Sequence, residues 1–186
     1  MMKILIPFIL LISAFFIACE EKSTYEQIVE EESKKEARSD SLFLGYSFGM
    51  DRKQFFDYSW ELNQKQIVTG GTDVEFKPDY LKHKASMRFF PEFRNNRIYK
   101  MPVEYQYDGW APWNEELQSD TLMADLVDVY RDKYEGDFIK MEHPENGKEA
   151  WINVNSNRRI AIYKKDEAIV RVEFLDLLAP DEFSSN

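Results

Sequence analysis

Residues 103–107 read Val103-Glu104-Tyr105-Gln106-Tyr107, apolar and polar side chains in alternation. Successive side chains of a strand point to opposite faces, so this spacing predicts a strand with one face in a core and the other in water. Just upstream, Ala85, Met87 and Phe89 alternate with Ser86 and Arg88, and Asn95-Asn96 supplies a turn between the two runs. Two runs joined this way form antiparallel strands with one wetter face.

Working outward, each group of strands is preceded by a helix. Met50-Asp51-Arg52-Lys53-Gln54-Phe55 carries a helix start: Asp51 is a side-chain cap, Gln54 stands three residues on, and Met50 can staple onto Phe55. Phe55, Phe56, Trp60 and Leu62 then make an apolar stripe, and the helix is expected over about 52–64. A second helix is expected over about 121–134, with Asp120 as its cap, Gly136 past its end, and an apolar face through Leu122, Leu126, Val129, Tyr130 and Tyr134. Strands then recur at Ile152 and Val154, at Ile160 and Ile162, and at Ala168, Val170, Val172 and Phe174. Their turns fall at Asn155-Ser156-Asn157 and Lys165-Asp166-Glu167.

The order helix then strands thus occurs twice, with matching spacing. Asp51 to Asp120 is 69 residues, and Val103-Glu104-Tyr105 to Val172-Glu173-Phe174 is also 69. Arg97-Ile98 and Arg159-Ile160 are offset by 62, so the loops differ in length. The expected fold class is α+β: two degenerate helix-plus-antiparallel-strand repeats, about 42–110 and 111–178, forming a six- to eight-stranded antiparallel sheet with helices on one face. This layout is similar to small envelope α+β modules such as the β-lactamase inhibitor protein and the outer-membrane assembly lipoproteins. The resemblance is one of pattern, and it carries over no binding residue.

The ends of the chain have a different character. Residues 1–18 read as a short basic head at Lys3, an apolar run from Ile4 to Ile17 broken only by Pro7 and Ser13, and Ala18 before Cys19. That is the pattern of a cleaved signal peptide. The run is shorter than the roughly 20 residues a bilayer-spanning helix needs. Phe16-Ile17-Ala18-Cys19 resembles the lipobox of bacterial lipoprotein precursors, with Phe16 where leucine is more usual. The resemblance covers the leader alone. It implies cleavage before Cys19, acyl chains on Cys19, and a membrane-anchored protein of the bacterial cell envelope, at the outer membrane and on a face left open. Cys19 is also the sole cysteine of the chain, so it has no disulfide partner. Glu20 and Glu21 follow, similar to the acidic sorting residues of some lipoproteins. From 19 to 41 the chain reads as an acidic flexible tether: eight acids, four bases and no Phe or Trp from Glu20 to Ser41 leave little to bury. Stretched out, its 22 residues span about 70 Å. A single α+β domain then occupies 42–178.

Composition excludes some classes of function. The 186 residues are 44% hydrophobic and 15% aromatic, enough for one core, and the net charge is −10. No basic stripe is present that could release counterions from phosphate, so no nucleic-acid partner is expected. The expected partners are the membrane, through lipid on Cys19, and another envelope protein.

Catalytic patterns are sparse. Gly45-Tyr46-Ser47-Phe48-Gly49 matches the Gly-x-Ser-x-Gly nucleophile elbow, and His83 and His143 lie downstream, so a small hydrolase using Ser47 with His83 or His143 is one alternative. That elbow needs a parallel sheet with helical crossovers, whereas this chain reads as hairpins. No His-x-x-x-His or Cys-x-x-Cys pair occurs, and no metal or cofactor is expected. The most aromatic stretch is Tyr105-Gln106-Tyr107-Asp108-Gly109-Trp110-Ala111-Pro112-Trp113, where the first repeat hands over to the second. Tyr105, Tyr107, Trp110 and Trp113 are therefore the candidate partner-binding residues. The leading expectation is a lipid-anchored binding or assembly module without catalysis of its own. A carrier or sensor of a small apolar ligand is the other alternative, with Phe55, Trp60 or Tyr130 on its cavity wall.

Overall fold

The structure, a computed structural model, describes residues 23–70 and 73–180. The expected leader, Cys19, the first residues of the expected tether and Gly71 lie outside them. Among the described residues no helix is long and apolar enough to cross a membrane.

Among the described residues three α-helices and nine strands make an α+β fold: α1 (Thr24–Glu32), α2 (Arg52–Gln64), β1 (Thr69–Gly70), β2 (Val74–Phe76), β3 (Ala85–Phe89), β4 (Glu92–Arg94), β5 (Arg97–Tyr107), α3 (Ser119–Lys133), β6 (Ile139–Glu142), β7 (Glu149–Asn155), β8 (Arg158–Lys164) and β9 (Ile169–Asp176). The strands form one antiparallel sheet in the order β1-β2-β3-β5-β9-β8-β7-β6, with β4 beside β5. The count exceeds the expected six to eight because β3 and β4 pair with successive parts of β5 and are separated by Phe90 and Pro91. Proline has no N–H to give a ladder, so the strand breaks there.

Local chemistry explains the helix starts. Asp51 accepts from the Gln54 N–H, and the Gln54 side chain accepts from the Asp51 N–H, so the expected cap of α2 closes both ways. The start of α3 differs from expectation: the helix begins at Ser119, and Asp120 sits in its first turn, paired with Lys164, rather than capping it. Its cap residue, Gln118, spends its side chain on the loop before it, accepting from Trp110 Nε1 at 3.2 Å and donating to the Ala111 carbonyl at 3.0 Å. At the β4–β5 hairpin both Asn95 and Asn96 have positive φ, the backbone of a two-residue turn that asparagine tolerates.

The core lies on the face of the sheet covered by α2 and α3, called the front here. Leu122, Leu126 and Tyr130 of α3 pack there with Val103 and Tyr105 of β5, Ile160 and Ile162 of β8, and Val170, Val172 and Phe174 of β9. The helices do not all share this face. α1 packs through Tyr25, Ile28 and Val29 on the back, against Ala150, Ile152, Val154, Ala161 and Tyr163.

The stretch expected as a flexible tether is therefore docked from residue 23 onward. Ser23 and Glu26 form a capping box that starts α1, and Glu32 Oε2 accepts from the Ser156 N–H at 2.8 Å. Ser39, Asp40 and Ser41 bond to Asn157 and Arg158 at the β7–β8 turn. Charge alone argued for solvation, but a capping box and three half-apolar residues at helical spacing suffice once a sheet offers an apolar strip.

Phe174 is fully buried and touches Phe43, Tyr130 and Tyr134. Phe174→Ala is expected to cost about 3–5 kcal/mol, by lost transfer energy and an unfilled cavity. Trp113→Ala, at a side chain 84% exposed, should stay within about 0.5 kcal/mol. Urea unfolding followed by circular dichroism measures both.

Candidate functional site

The two ends of the sheet carry different chemistry. At the β1–β2 end, α2 and the strands enclose a groove of about 480 Å³. Its floor is Phe55 and Val68, both buried, and its wall is Phe56, Trp60 and Phe90. The apolar stripe of α2 divides: Phe55 and Leu62 turn into the core, while Phe56 (49% exposed) and Trp60 (67% exposed), one helical turn apart, turn outward. Phe55, Phe56 and Phe90 hold one another edge to face or tilted, with ring centroids 5.4–6.2 Å apart, so the wall is stiff. Asp57, Ser59, Asn63, Thr69 and Asp73 supply the polar groups. Asn63 Nδ2 donates to the Val68 carbonyl at 3.1 Å, which fixes the loop that closes the groove.

On the back of the sheet, near α1, lies a buried cluster of charge. Arg159 is 2% exposed and donates through Nη2 to Glu173 Oε1 at 2.9 Å and Glu145 Oε1 at 2.7 Å. Lys100 Nζ stands 3.1 Å from Glu173 Oε2, and Tyr25 of α1 meets Arg159 Nη1 at 3.3 Å. His143 Nδ1 accepts from the Glu145 N–H at 3.2 Å, so its Nε2 carries a proton, and that atom faces Glu173 Oε1 at 3.6 Å. Burial works against the Glu173 carboxylate, yet His143, Lys100 and Arg159 outweigh it and hold its pKa down at about 2. Burial likewise opposes the Glu145 carboxylate, and Arg159 and Lys100 hold it below its ordinary value.

The candidate partner-binding residues separate. Tyr105 and Tyr107 are 1% exposed and belong to the core, so they leave the expected surface patch. Their burial is tolerated because each hydroxyl has a partner. Tyr105 lies between the hydroxyls of Tyr80 and Tyr130, 3.1 Å from each, and Tyr107 donates to Asp125, which Lys82 also neutralises at 2.5 Å. Burial, then the Asp125 carboxylate, pushes the Tyr107 phenol far up. Trp110 is half-buried on Gln118, and only Trp113 stands out in water.

Ser47 meets neither histidine. It forms a bridge with Ser41 in the turn before α2, while His83 packs edge-on against Tyr107 and His143 against Tyr163. The glycines of its motif serve the turn. Gly45 has φ +86°, and a Cβ there would run into the Tyr58 hydroxyl, which donates to the Leu44 carbonyl at 2.8 Å. Tyr130, one of three residues expected on a ligand-cavity wall, is enclosed in the core, whereas Phe55 and Trp60 do line the groove. Among the described residues no group of three or more His, Cys, Asp or Glu side chains is placed to hold a metal ion.

Phe56 and Phe90 of the groove, and the buried cluster apart from His143, were not among the expected site residues. Arg159 and Glu173 sit at the polar positions of alternating strands, which read as a wet face. The signal for the cluster was the density of charge, Arg158-Arg159 and Arg171 with Glu173, inside otherwise apolar strands. Comparisons of the chain with protein-family models, with curated proteins and with solved structures return no match.

The cluster gives the fold an acid-side dependence. Because the folded-state pKa of Glu173 lies below the ordinary 4.5, its contribution is fully present above about pH 4.5 and is lost as pH falls towards about 2. Glu173→Gln leaves Arg159 and Lys100 short of a carboxylate, and should cost about 3–5 kcal/mol at pH 7 and flatten the stability curve between those two values. Denaturant titrations from pH 2 to 7 on both proteins give the answer.

Proposed function

We propose that this chain is a lipid-anchored protein of the bacterial cell envelope, attached to the outer membrane through Cys19, that works by binding another envelope protein in the groove beside α2. The observation that carries the binding site is the pair Phe56 and Trp60, two large aromatic side chains turned to water on one wall of a concave apolar groove. Aromatic side chains in such positions dominate the energetics of protein interfaces, and a contiguous exposed apolar patch on a folded domain marks a contact surface. The anchor rests on the leader pattern and on Cys19 standing directly after it.

The same reading takes the fold as two degenerate repeats, α2 with β1 to β5 and α3 with β6 to β9. Each half runs as a helix followed by a meander, and the two final strands meet at the middle of the sheet. Val103 and Val172, 69 residues apart, face each other across that seam. A two-fold relation between halves offset by 69 places some residue opposite its own counterpart, and this register is compatible with that.

A small apolar ligand is the second reading, favoured by the groove volume. About 480 Å³ lies within the roughly 300–1,000 Å³ of small-molecule sites, and Phe55 and Trp60 are on its boundary. Crosslinking the lipidated protein in its membrane and recovering it separates the two. A captured protein that disappears with Trp60→Ala supports the first, with an affinity loss of about 30-fold or more and folding stability within about 0.5 kcal/mol of the parent. No captured protein, together with saturable Trp60-dependent binding of an apolar dye, supports the second. Capture unaffected by Trp60→Ala removes the groove from both.

A further inference from the structure

We propose that α1 is a detachable clasp, which when docked holds the domain close to its anchoring membrane and when released lets it reach several times farther. The membrane part rests on the anchor at Cys19 proposed above; the docking and release of α1 do not.

Two neighbouring segments are held with unequal strength. None of the nine residues of α1 is buried, and its apolar contacts come from three half-buried side chains, Tyr25, Ile28 and Val29. Its ties to the sheet include the Tyr25 contact with Arg159 at 3.3 Å and the Glu32 acceptance from the Ser156 N–H at 2.8 Å. A helix this short is marginal alone in water, so α1 owes its order to docking. Residues 38–41 are secured otherwise. Arg38 Nη2 donates to Asp176 Oδ2 at 2.8 Å, the Ser39 N–H to Asn157 Oδ1 at 2.7 Å, Asn157 Nδ2 to Asp40 Oδ1 at 3.0 Å, and Arg158 Nη1 to the Ser41 carbonyl at 2.8 Å. Asn157, Arg158 and Asp176 are buried, as are the Arg159 and Ser156 partners of α1, so the difference lies in number: these four bonds over the four residues of the strap against the two named over the nine of the helix. Between the loose helix and the fixed strap lies a turn at 33–36 whose lysines pair with Glu30 and Glu32 of α1 itself. That turn is the hinge.

The chain lengths give the consequence. With α1 docked, four peptide steps separate Cys19 from Ser23, a reach of at most about 14 Å. With α1 released, eighteen steps separate Cys19 from Ala37, a reach of at most about 65 Å. Release also uncovers the strip made by Ala150, Ile152, Val154, Ala161 and Tyr163. Its exposure disfavours the released state in water, which keeps the clasp shut until a partner or a pull opens it.

The test uses the full lipidated protein in phospholipid vesicles. Amide hydrogen exchange should show residues 24–32 exchanging at least about 100-fold faster than β8, with residues 38–41 protected like the strands. Equal protection of α1 and β8 would overturn the clasp. Ile28→Asp with Val29→Asp should release α1 and leave β8 protection intact. Should that pair unfold the domain, the milder Tyr25→Phe is expected to speed exchange in 24–32 alone, and an unchanged rate there overturns the proposal. For reach, a donor dye on the thiol introduced by Trp113→Cys, with acceptors on the lipid headgroups, should lose energy transfer in the released variant. Unchanged transfer with α1 released overturns the membrane part. A protein that does not float with the vesicles overturns the anchor at Cys19, and the exchange measurement still decides the docking.

Discussion

The pairing of β5 with β9 joins the two halves of this protein into one sheet and decides what each face carries. Seven residue pairs, from Lys100 with Leu175 to Gln106 with Ile169, fix the register. In that register Val103, Tyr105, Val170, Val172 and Phe174 all point to the front and build the core under α3. Pro102, Glu104, Arg171 and Glu173 point to the back. A slip of one residue on β9 would drive Glu173 and Arg171 under α3 and lift Val172 and Phe174 out, a change no repacking of this core could absorb. The two long strands at the middle are thus specified by burial on one side and by charge on the other.

Charge on the back does more than stay wet. Glu173 sits beside the seam, Lys100 comes from β5, Arg159 from β8, and Glu145 and His143 from the β6–β7 connection. Both Glu173 oxygens are used, one by Arg159 and one by Lys100, and the carboxylates and cations balance closely enough that burial is tolerated. The cluster spans three strands and a turn, so it reports on their relative placement in a way an apolar patch would not. It also forms one shoulder of the seat on which Tyr25 of α1 rests.

What was legible in the sequence follows from which physical signals are local. The cap of α2 was readable because Asp51 and Gln54 are three residues apart, and the inward faces of β3, β5, β8 and β9 because strand periodicity is two. The α+β class followed. The docking of α1 was not readable, because its three apolar contacts are too few to register against the six charged or polar residues of the same helix until the strip beneath them exists. Tyr105 and Tyr107 were misplaced for the same reason. An aromatic-rich run reads as surface or core alike, and the deciding facts, Asp125 and Tyr130 on α3 offering partners to the hydroxyls, lie 18 and 25 residues away. Of the groove, Phe55 and Trp60 were foreseen on one helix. Phe90 was not, since its place depends on the break at Pro91.

The groove and the clasp occupy opposite ends of the molecule. Strand order puts β1 at one edge of the sheet and β6 at the other. The groove lies beside β1 and β2 on the front, and α1 lies over β7 and β8 on the back. If the proposed anchor pulls through α1, it pulls on the edge and face farthest from Phe56 and Trp60, so the groove is the part of the domain turned away from the attachment. A binding surface there needs no reorientation to meet a partner in the space beyond the membrane, only distance. Distance is the quantity that release of α1 changes, and the two features therefore complement each other although no shared residue connects them.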